Sequence, residues 1–593
     1  MATTIRHLQN YTVLGCLFAA AWIFAPIQEE FLTHAIPALG TSGPMLAAFF
    51  EMLVIFVFGF LVYEVSKSTV IPSFVVCIFI GMIERGSLQP IVGNSNMLTI
   101  LTTFGAALIL FGGGLDTPFG RFAKLIDPIL AIATIGTIIT ALLFSQFLVT
   151  ISTMSGAALP IAAAVILGAA LASTDPAAII PSLKPLVFRN ARVKHIAISE
   201  SALNDVIGAV LTTVFLGLFT FGDIAEMPRS IQAAYLRLLT PETGLEVIYE
   251  LLVGGGIGVL GFAILYGWNR VKRTLGGAPG EADAAMFLAV PLLCFVAATA
   301  LHGSGFLAVF ISSLLFQVEE HFRHIEHYFN HTIEAFMKPL IFLLLGASVD
   351  PAMLMGSAKI GLVMGAIFVF IIRPAVIFLT IGPFHWGRHK ISFNELLFLS
   401  FVRETGVIPA VLLIGIGASG IAGAETAVAI GLWVILFTLV LQPPLTPLLA
   451  QMLGLATVAK PIASAKSLGR VAVLGSRGLS FTERLGKVTD WADTYGVRHV
   501  ILLHCPEDRY ATEFIVEMEK RVKEAFDGIY AERKKAEKQS ITLELILRPG
   551  TLQQNLEAVL HSYDVSMVFV GSKMLDYRLD EVKKLGAPFT FLS

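Results

Sequence analysis

The chain has 593 residues, 55% of them hydrophobic and only 14% charged, with a net charge of −2 at pH 7. That composition lies far from a soluble globular average and argues against nucleic acid as a partner. The four cysteines, Cys16, Cys77, Cys294 and Cys505, are scattered without metal-ligand spacing, so neither a disulfide framework nor a zinc site is expected.

Taken in chain order, the first apolar run (11–25) ends at Pro26-Ile27-Gln28-Glu29-Glu30 with no small-residue cleavage site, and reads as a membrane helix. Windows of about 17 to 25 apolar residues then recur, about fourteen in all. They lie near 11–26, 45–63, 69–84, 97–114, 127–151, 158–188, 195–221, 245–270, 284–302, 304–318, 333–348, 356–381, 393–417 and 424–450. With the N-terminus on the cytoplasmic side, the basic residues fall in the even-numbered loops, as the positive-inside rule asks. These are Lys67; Arg121 and Lys124; Lys184, Arg189, Arg192 and Lys194; Arg270, Lys272 and Arg273; Arg323; Arg388 and Lys390. The other side keeps Arg85, Arg229 and Arg237, with Glu29 and Glu30 in its first loop. Both termini are therefore expected in the cytoplasm, and the protein in a cell (plasma or inner) membrane.

After Pro461 the pattern changes to β-branched runs at 470–475, 499–504, 542–547, 566–570 and 588–592, with amphipathic stretches between them. Alternation at this spacing predicts a soluble, doubly wound α/β domain of about 125 residues. The domain boundaries are thus expected at 1–460 and 461–593.

Two windows are interrupted. The first carries Ser173-Thr174-Asp175-Pro176 and the second Arg403-Glu404-Thr405-Gly406, followed by Pro409. Broken helices at bilayer depth are tolerated only where they line a site, and a pair of them in two halves points to a transporter. Unwinding frees carbonyls for a hard cation, and Thr174 and Ser201 add hydroxyl oxygens. The competing reading is that Pro176 and Pro409 only kink helices for packing. Asp205 lies about ten residues into its helix, near midplane at about 1.5 Å per residue. A carboxylate there costs several kcal/mol without a partner and marks an ion or proton path. Arg403 is the expected counter-charge of Glu200, an architectural pair whose breakage costs about 3–5 kcal/mol. Arg373 and Lys338 are expected to pair with acids that the sequence does not identify.

Residues 45–450 resemble the cation:proton antiporter superfamily, and within it the sodium/hydrogen exchanger branch. Ser173-Thr174-Asp175-Pro176 is similar to that family's Thr-Asp-Pro segment, and Glu200-Ser201-Ala202-Leu203-Asn204-Asp205 to its Glu-Ser-Leu-Leu-Asn-Asp signature. Arg403 lies where the family has an Arg-Gly element. The Asn204-Asp205 dyad resembles the electroneutral type. The resemblance implies an inverted-repeat antiporter fold, a polytopic α-helical membrane protein with two broken helices. It also implies a homodimer, and 11–26 as an added N-terminal helix. It makes Asp205 the alternating carrier of cation and proton. Asp175, Thr174 and Ser201 would be ion ligands, and Asn204, Glu200 and Arg403 structural support. One departure stands out: in Leu110-Phe111-Gly112-Gly113-Gly114-Leu115, Gly112 replaces a family Glu.

The expected activity is exchange of Na⁺ for H⁺, with K⁺/H⁺ exchange as the alternative. A rival of another class is an ion channel gated by a nucleotide-binding cytoplasmic domain. No enzyme constellation and no cofactor is expected. His321, His324, His327 and His331 recur at helical spacing among Glu residues and are candidate pH sensors, though a solvated amphipathic connector is the preferred reading. The α/β domain weakly resembles universal-stress-protein domains. Its Gly475-Ser476-Arg477-Gly478 and Val570-Gly571-Ser572-Lys573 turns lack full dinucleotide-binding spacing, so a regulatory role is preferred over a nucleotide site.

Overall fold

Hydrocarbon offers no water to satisfy a free N–H or C=O, so a chain this apolar folds as helices that satisfy their own backbone. The computed structural model describes residues 2–35, 43–66 and 72–458 apart from 116, 118, 184–185, 191, 222–226, 275–283, 317–322 and 387–388, and then the strands 470–474, 499–504, 542–547, 567–571 and 589–592. The chain divides into two compact units, Met1–Val458 and Ala459–Ser593.

In the first unit, eight described helices are long and apolar enough to cross a membrane: Tyr11–His34, Phe49–Ser66, Ser95–Leu115, Ile126–Met154, Arg192–Thr220, Pro241–Lys272, Pro351–Thr380 and Ala424–Met452. Shorter apolar helices accompany them: Ser73–Ile83, Ile161–Leu171, Ala285–Ala300, Gly305–Leu315, Ala335–Ser348 and Val407–Ala418. Each apolar window of the sequence coincides with one of these. Two boundaries differ. The window 304–318 holds only an 11-residue helix, Gly305–Leu315, started by the Ser304 hydroxyl accepting the Leu307 amide. The end of window 158–188 is a strand, Leu186–Phe188, which pairs antiparallel with Ala456–Val458.

Local chemistry explains the interruptions. Pro176 has no N–H and forces the residue before it out of the helical region, so Ile161–Leu171 cannot continue and a new half-helix, Pro176–Leu183, starts on Pro176 itself. The second broken segment comprises Phe393–Phe401 and Val407–Ala418, separated by the non-helical residues 402–406. Its first half is fixed by a capping box: the Ser392 amide donates to Glu395 Oε2 (2.6 Å) and the Glu395 amide to Ser392 Oγ (3.3 Å). A π turn at Phe368–Ile372 immediately precedes Arg373 and Pro374, where the missing proline N–H disturbs the ladder. Elsewhere small residues let backbones touch. A Cβ on Gly81 would lie 2.0 Å from the Leu343 carbonyl oxygen, and one on Gly346 2.1 Å from that of Ile78. Ser73–Ile83 and Arg323–Ser348 therefore cross backbone against backbone, the close approach that membrane helices favour.

In the second unit, five strands form one parallel sheet in the order Thr542–Leu547, His499–His504, Arg470–Leu474, Met567–Gly571, Phe589–Leu592. The first strand of this unit is central and the chain order reverses beside it, which is the strand order of a topological switch point. Val500, Ile501 and Leu503 are buried. Residues 475–478, Cys505, Ser572, Lys573 and the charged run at 508–538 lie outside the described residues.

Candidate functional site

The helix Arg192–Phe221 carries Glu200, Ser201, Asn204 and Asp205, all at most 2% exposed. Spacings of three and four residues place them along one side of the helix. That side faces the first unwound stretch, 173–175, and Asn204 stitches the two together. Its Nδ2 donates to Glu200 Oε1 (2.7 Å) and to Thr174 Oγ1 (2.8 Å), while its Oδ1 accepts the Thr174 amide (2.9 Å). The Thr174 hydroxyl also lies 2.9 Å from that of Ser201. Thr174, Ser201 and Asn204 thus form one buried hydroxyl and amide cluster.

Asp205 continues this face. Ser173 hydrogen-bonds its carboxylate, and Asp175, Glu200 and Arg403 are close enough to act on it electrostatically. Its Oδ1 has no hydrogen-bond partner among the described residues, although the side chain is 1% exposed. A buried, half-satisfied carboxylate is costly unless something visits it.

The two unwound stretches cross at Asp175. Its amide donates to the Glu404 carbonyl (3.1 Å), and its Oδ2 accepts the Val407 amide (2.9 Å), the first of the half-helix Val407–Ala418. The carboxylate therefore sits at a helix N-terminus, where the dipole favours negative charge. Gly406 makes the approach feasible, because a Cβ there would stand 2.1 Å from Asp175 Oδ2. From behind, Thr438 holds the second stretch: its hydroxyl donates to Thr405 Oγ1 (2.9 Å). Gln442 Nε2 donates to the Phe401 carbonyl.

The expected pairing of Glu200 with Arg403 is corrected. Glu200 is held by Arg373, whose NH1 and NH2 donate to its two oxygens at 3.0 and 2.9 Å, both side chains being 2% exposed. Arg403 instead donates to the carbonyls of Ala172 and Leu171 and to Thr140 Oγ1, with its guanidinium 4.6 Å from the centre of the Phe368 ring. The reason is the helix break: the last carbonyls of Ile161–Leu171 have lost their amide donors, and a cation at a helix C-terminus satisfies both the bonds and the dipole. Arg373, fixed by its Nε bond to the Leu399 carbonyl (3.2 Å), then presents its fork to Glu200.

Gly112 is buried in Ser95–Leu115, and a Cβ on its neighbour Gly113 would lie 3.4 Å from Pro176 Cγ. The helix of the missing family acid does pass the first broken segment. His321 lies outside the described residues, as do the side chains of His324, His327 and His331. Sequence reasoning quoted Glu404 without giving it a role, and passed over Ser182 and Thr438. An acid inside an apolar window was the available signal for Glu404. Ser182 and Thr438 become visible only through their partners.

Comparison with known proteins agrees with this architecture. The family profile "Sodium/hydrogen exchanger, transmembrane" matches residues 52–451. A K(+)/H(+) antiporter NhaP of Alkalimonas amylolytica is 23% identical over 401 residues, which cover 66% of this chain and 64% of that protein. The match thus spans just under two thirds of that relative's length. Na(+)/H(+) antiporter 1 of Methanocaldococcus jannaschii is 26% identical over 383 residues, 62% of this chain and 83% of that protein. The solved structure of the sodium proton antiporter MjNhaP1 from the same organism, at pH 8, superimposes with a TM-score of 0.55 at 22% identity, covering 68% of this chain and 99% of that one. At that identity the likeness concerns the fold, a polytopic helical membrane protein. With two thirds of its length matched by the profile, the chain belongs to the sodium/hydrogen exchanger family.

Proposed function

We propose that this protein exchanges a monovalent cation, Na⁺, for H⁺ across a membrane by alternating access, as a transporter and not an enzyme. One observation carries the reading: the fully buried Asp205 carboxylate, one oxygen of which has no hydrogen-bond partner among the described residues, beside two crossing unwound segments. Such a group holds a proton or a cation, not both, so loading by one expels the other. Asp175, Thr174 and Ser201 supply neighbouring oxygens. Asn204 and the Glu200–Arg373 pair hold the helix in register with the unwound chain, while Arg403 holds the broken helix end. A single carboxylate trading one proton for one cation makes the cycle electroneutral. The family membership supports exchange, and relatives named for both Na⁺ and K⁺ keep K⁺/H⁺ exchange as the second reading. The loop charges support cytoplasmic termini in a cell membrane.

The test is the full chain in proteoliposomes, with internal pH followed on adding Na⁺, K⁺ or Li⁺. Saturable alkalinisation or acidification that vanishes in Asp205→Asn is expected. Cation flux without proton coupling would overturn the reading, and rates that scale with membrane potential would remove the one-for-one stoichiometry.

A further inference from the structure

A second acid in the crossing has no assigned role. Glu404 lies in the unwound stretch 402–406, and its side chain is 0% exposed. Its Oε1 accepts the Ser182 hydroxyl (3.0 Å), seven residues beyond Asp175 on the half-helix Pro176–Leu183. Its Oε2 has no hydrogen-bond partner among the described residues. Its own carbonyl accepts the Asp175 amide, and Asp175 is close enough to act electrostatically on both Glu404 and Asp205. The three carboxylates therefore form a series, Asp205, Asp175, Glu404, running from the Asn204 cluster towards the end of Pro176–Leu183.

The two buried arginines described above are already committed. Arg373 is engaged by Glu200, and Arg403, adjacent to Glu404 in sequence, turns to the carbonyls of Leu171 and Ala172. A carboxylate buried this deeply, with no ion pair among the described residues, is unfavourable by several kcal/mol in its charged form until a proton or a cation reaches it. Unwound backbone, a free carboxylate oxygen and the Asp175 charge together make the oxygen-rich surroundings that a hard monovalent cation takes.

We propose that Glu404 is a cation ligand of the transport path: its Oε2 receives the monovalent ion on the Ser182 side of the crossing and passes it by way of Asp175 to Asp205. This deepens the exchange reading and rests on it. Ser182 acts as a positioning residue, holding Oε1 so that Oε2 faces the path.

The experiment uses the full chain, with Glu404→Gln and Ser182→Ala. Equilibrium binding of ²²Na⁺ to purified protein is measured beside KM and kcat for Na⁺, K⁺ and Li⁺ in proteoliposomes. Losing one charged ligand should weaken Na⁺ binding and raise KM about tenfold or more in Glu404→Gln, with a changed ratio among the three ions. Ser182→Ala should shift KM in the same direction by less. Unchanged binding, KM and ion ratio in Glu404→Gln would overturn the proposal even if kcat falls, because a merely structural acid affects rate and yield only. Should that variant fail to fold, an unchanged KM and ion ratio in Ser182→Ala overturns it. Because binding is read without proton coupling, a failure here is separate from a failure of Asp205→Asn to abolish exchange.

Discussion

Gly406→Ala is the sharpest geometric test of the crossing. An alanine Cβ would stand 2.1 Å from Asp175 Oδ2 and 2.2 Å from Asp175 Cβ. Non-bonded carbon contacts are comfortable at about 3.5 Å, so the two unwound stretches must part by roughly 1.3 Å. The Asp175–Val407 bond, 2.9 Å long, and the Asp175–Glu404 backbone bond, 3.1 Å long, are then both broken. A hydrogen bond to a charged group contributes about 1.5–3 kcal/mol and a neutral one about 1, giving a loss on the order of 3 kcal/mol. A displacement of about 1 Å in a site typically costs about 100-fold in rate. The assay is initial cation-dependent pH change in proteoliposomes, beside the thermal midpoint of the detergent-purified protein. Gly415→Ala is the control: it lies on the same half-helix and its Cβ would meet nothing within 4 Å. It should be neutral or stabilising by up to about 1 kcal/mol. If Gly406→Ala is as active and as stable as Gly415→Ala, the close approach of the two stretches is wrong.

Arg373→Met strands the Glu200 carboxylate in the membrane interior and should destabilise the fold by about 3–5 kcal/mol, whereas adding Glu200→Gln should recover a large part of it; midpoints that show no recovery would remove the pair. At the exposed N-cap of Pro351–Ile367, Asp350 is held below the usual carboxylate range, chiefly by the Met353 amide, then by Arg85 and the Ala352 amide. A lowered carboxyl stabilises the fold above its unfolded pKa and loses that contribution as pH falls through its folded value. Asp350→Asn, which keeps the helix cap but not the charge, should therefore lower the thermal midpoint at pH 7 and converge with the parent protein below about pH 4; parallel curves would refute the assignment. Ser392→Ala removes half of the capping box on Phe393–Phe401 and should cost about 1 kcal/mol, seen as a lower midpoint; an unchanged one would show that packing alone starts this half-helix.

The division between what was legible in the chain and what was not follows from the range of the forces. Spans, the two breaks and the parallel-strand unit come from local rules: an apolar run must be helical in hydrocarbon, a proline must end a helix, and β-branched runs must be strands. The approximate place of the site followed as well, since buried acids beside helix breaks are expensive enough to mark function wherever they occur. Pairing was another matter. Glu200 had two arginines within the apolar windows, and nothing in the sequence separates Arg373 from Arg403. Only the folded chain shows that the carbonyls freed at Ala172 and Leu171 draw Arg403 away, leaving the fork of Arg373 to the carboxylate. The same holds for Gly406, a mere helix break until Asp175 is seen against it, and for Glu404, whose bond to Ser182 and place beside Asp175 exist only in the folded chain. Local backbone chemistry is written residue by residue, while the partners of a buried charge are decided by a competition among donors brought together from distant parts of the chain.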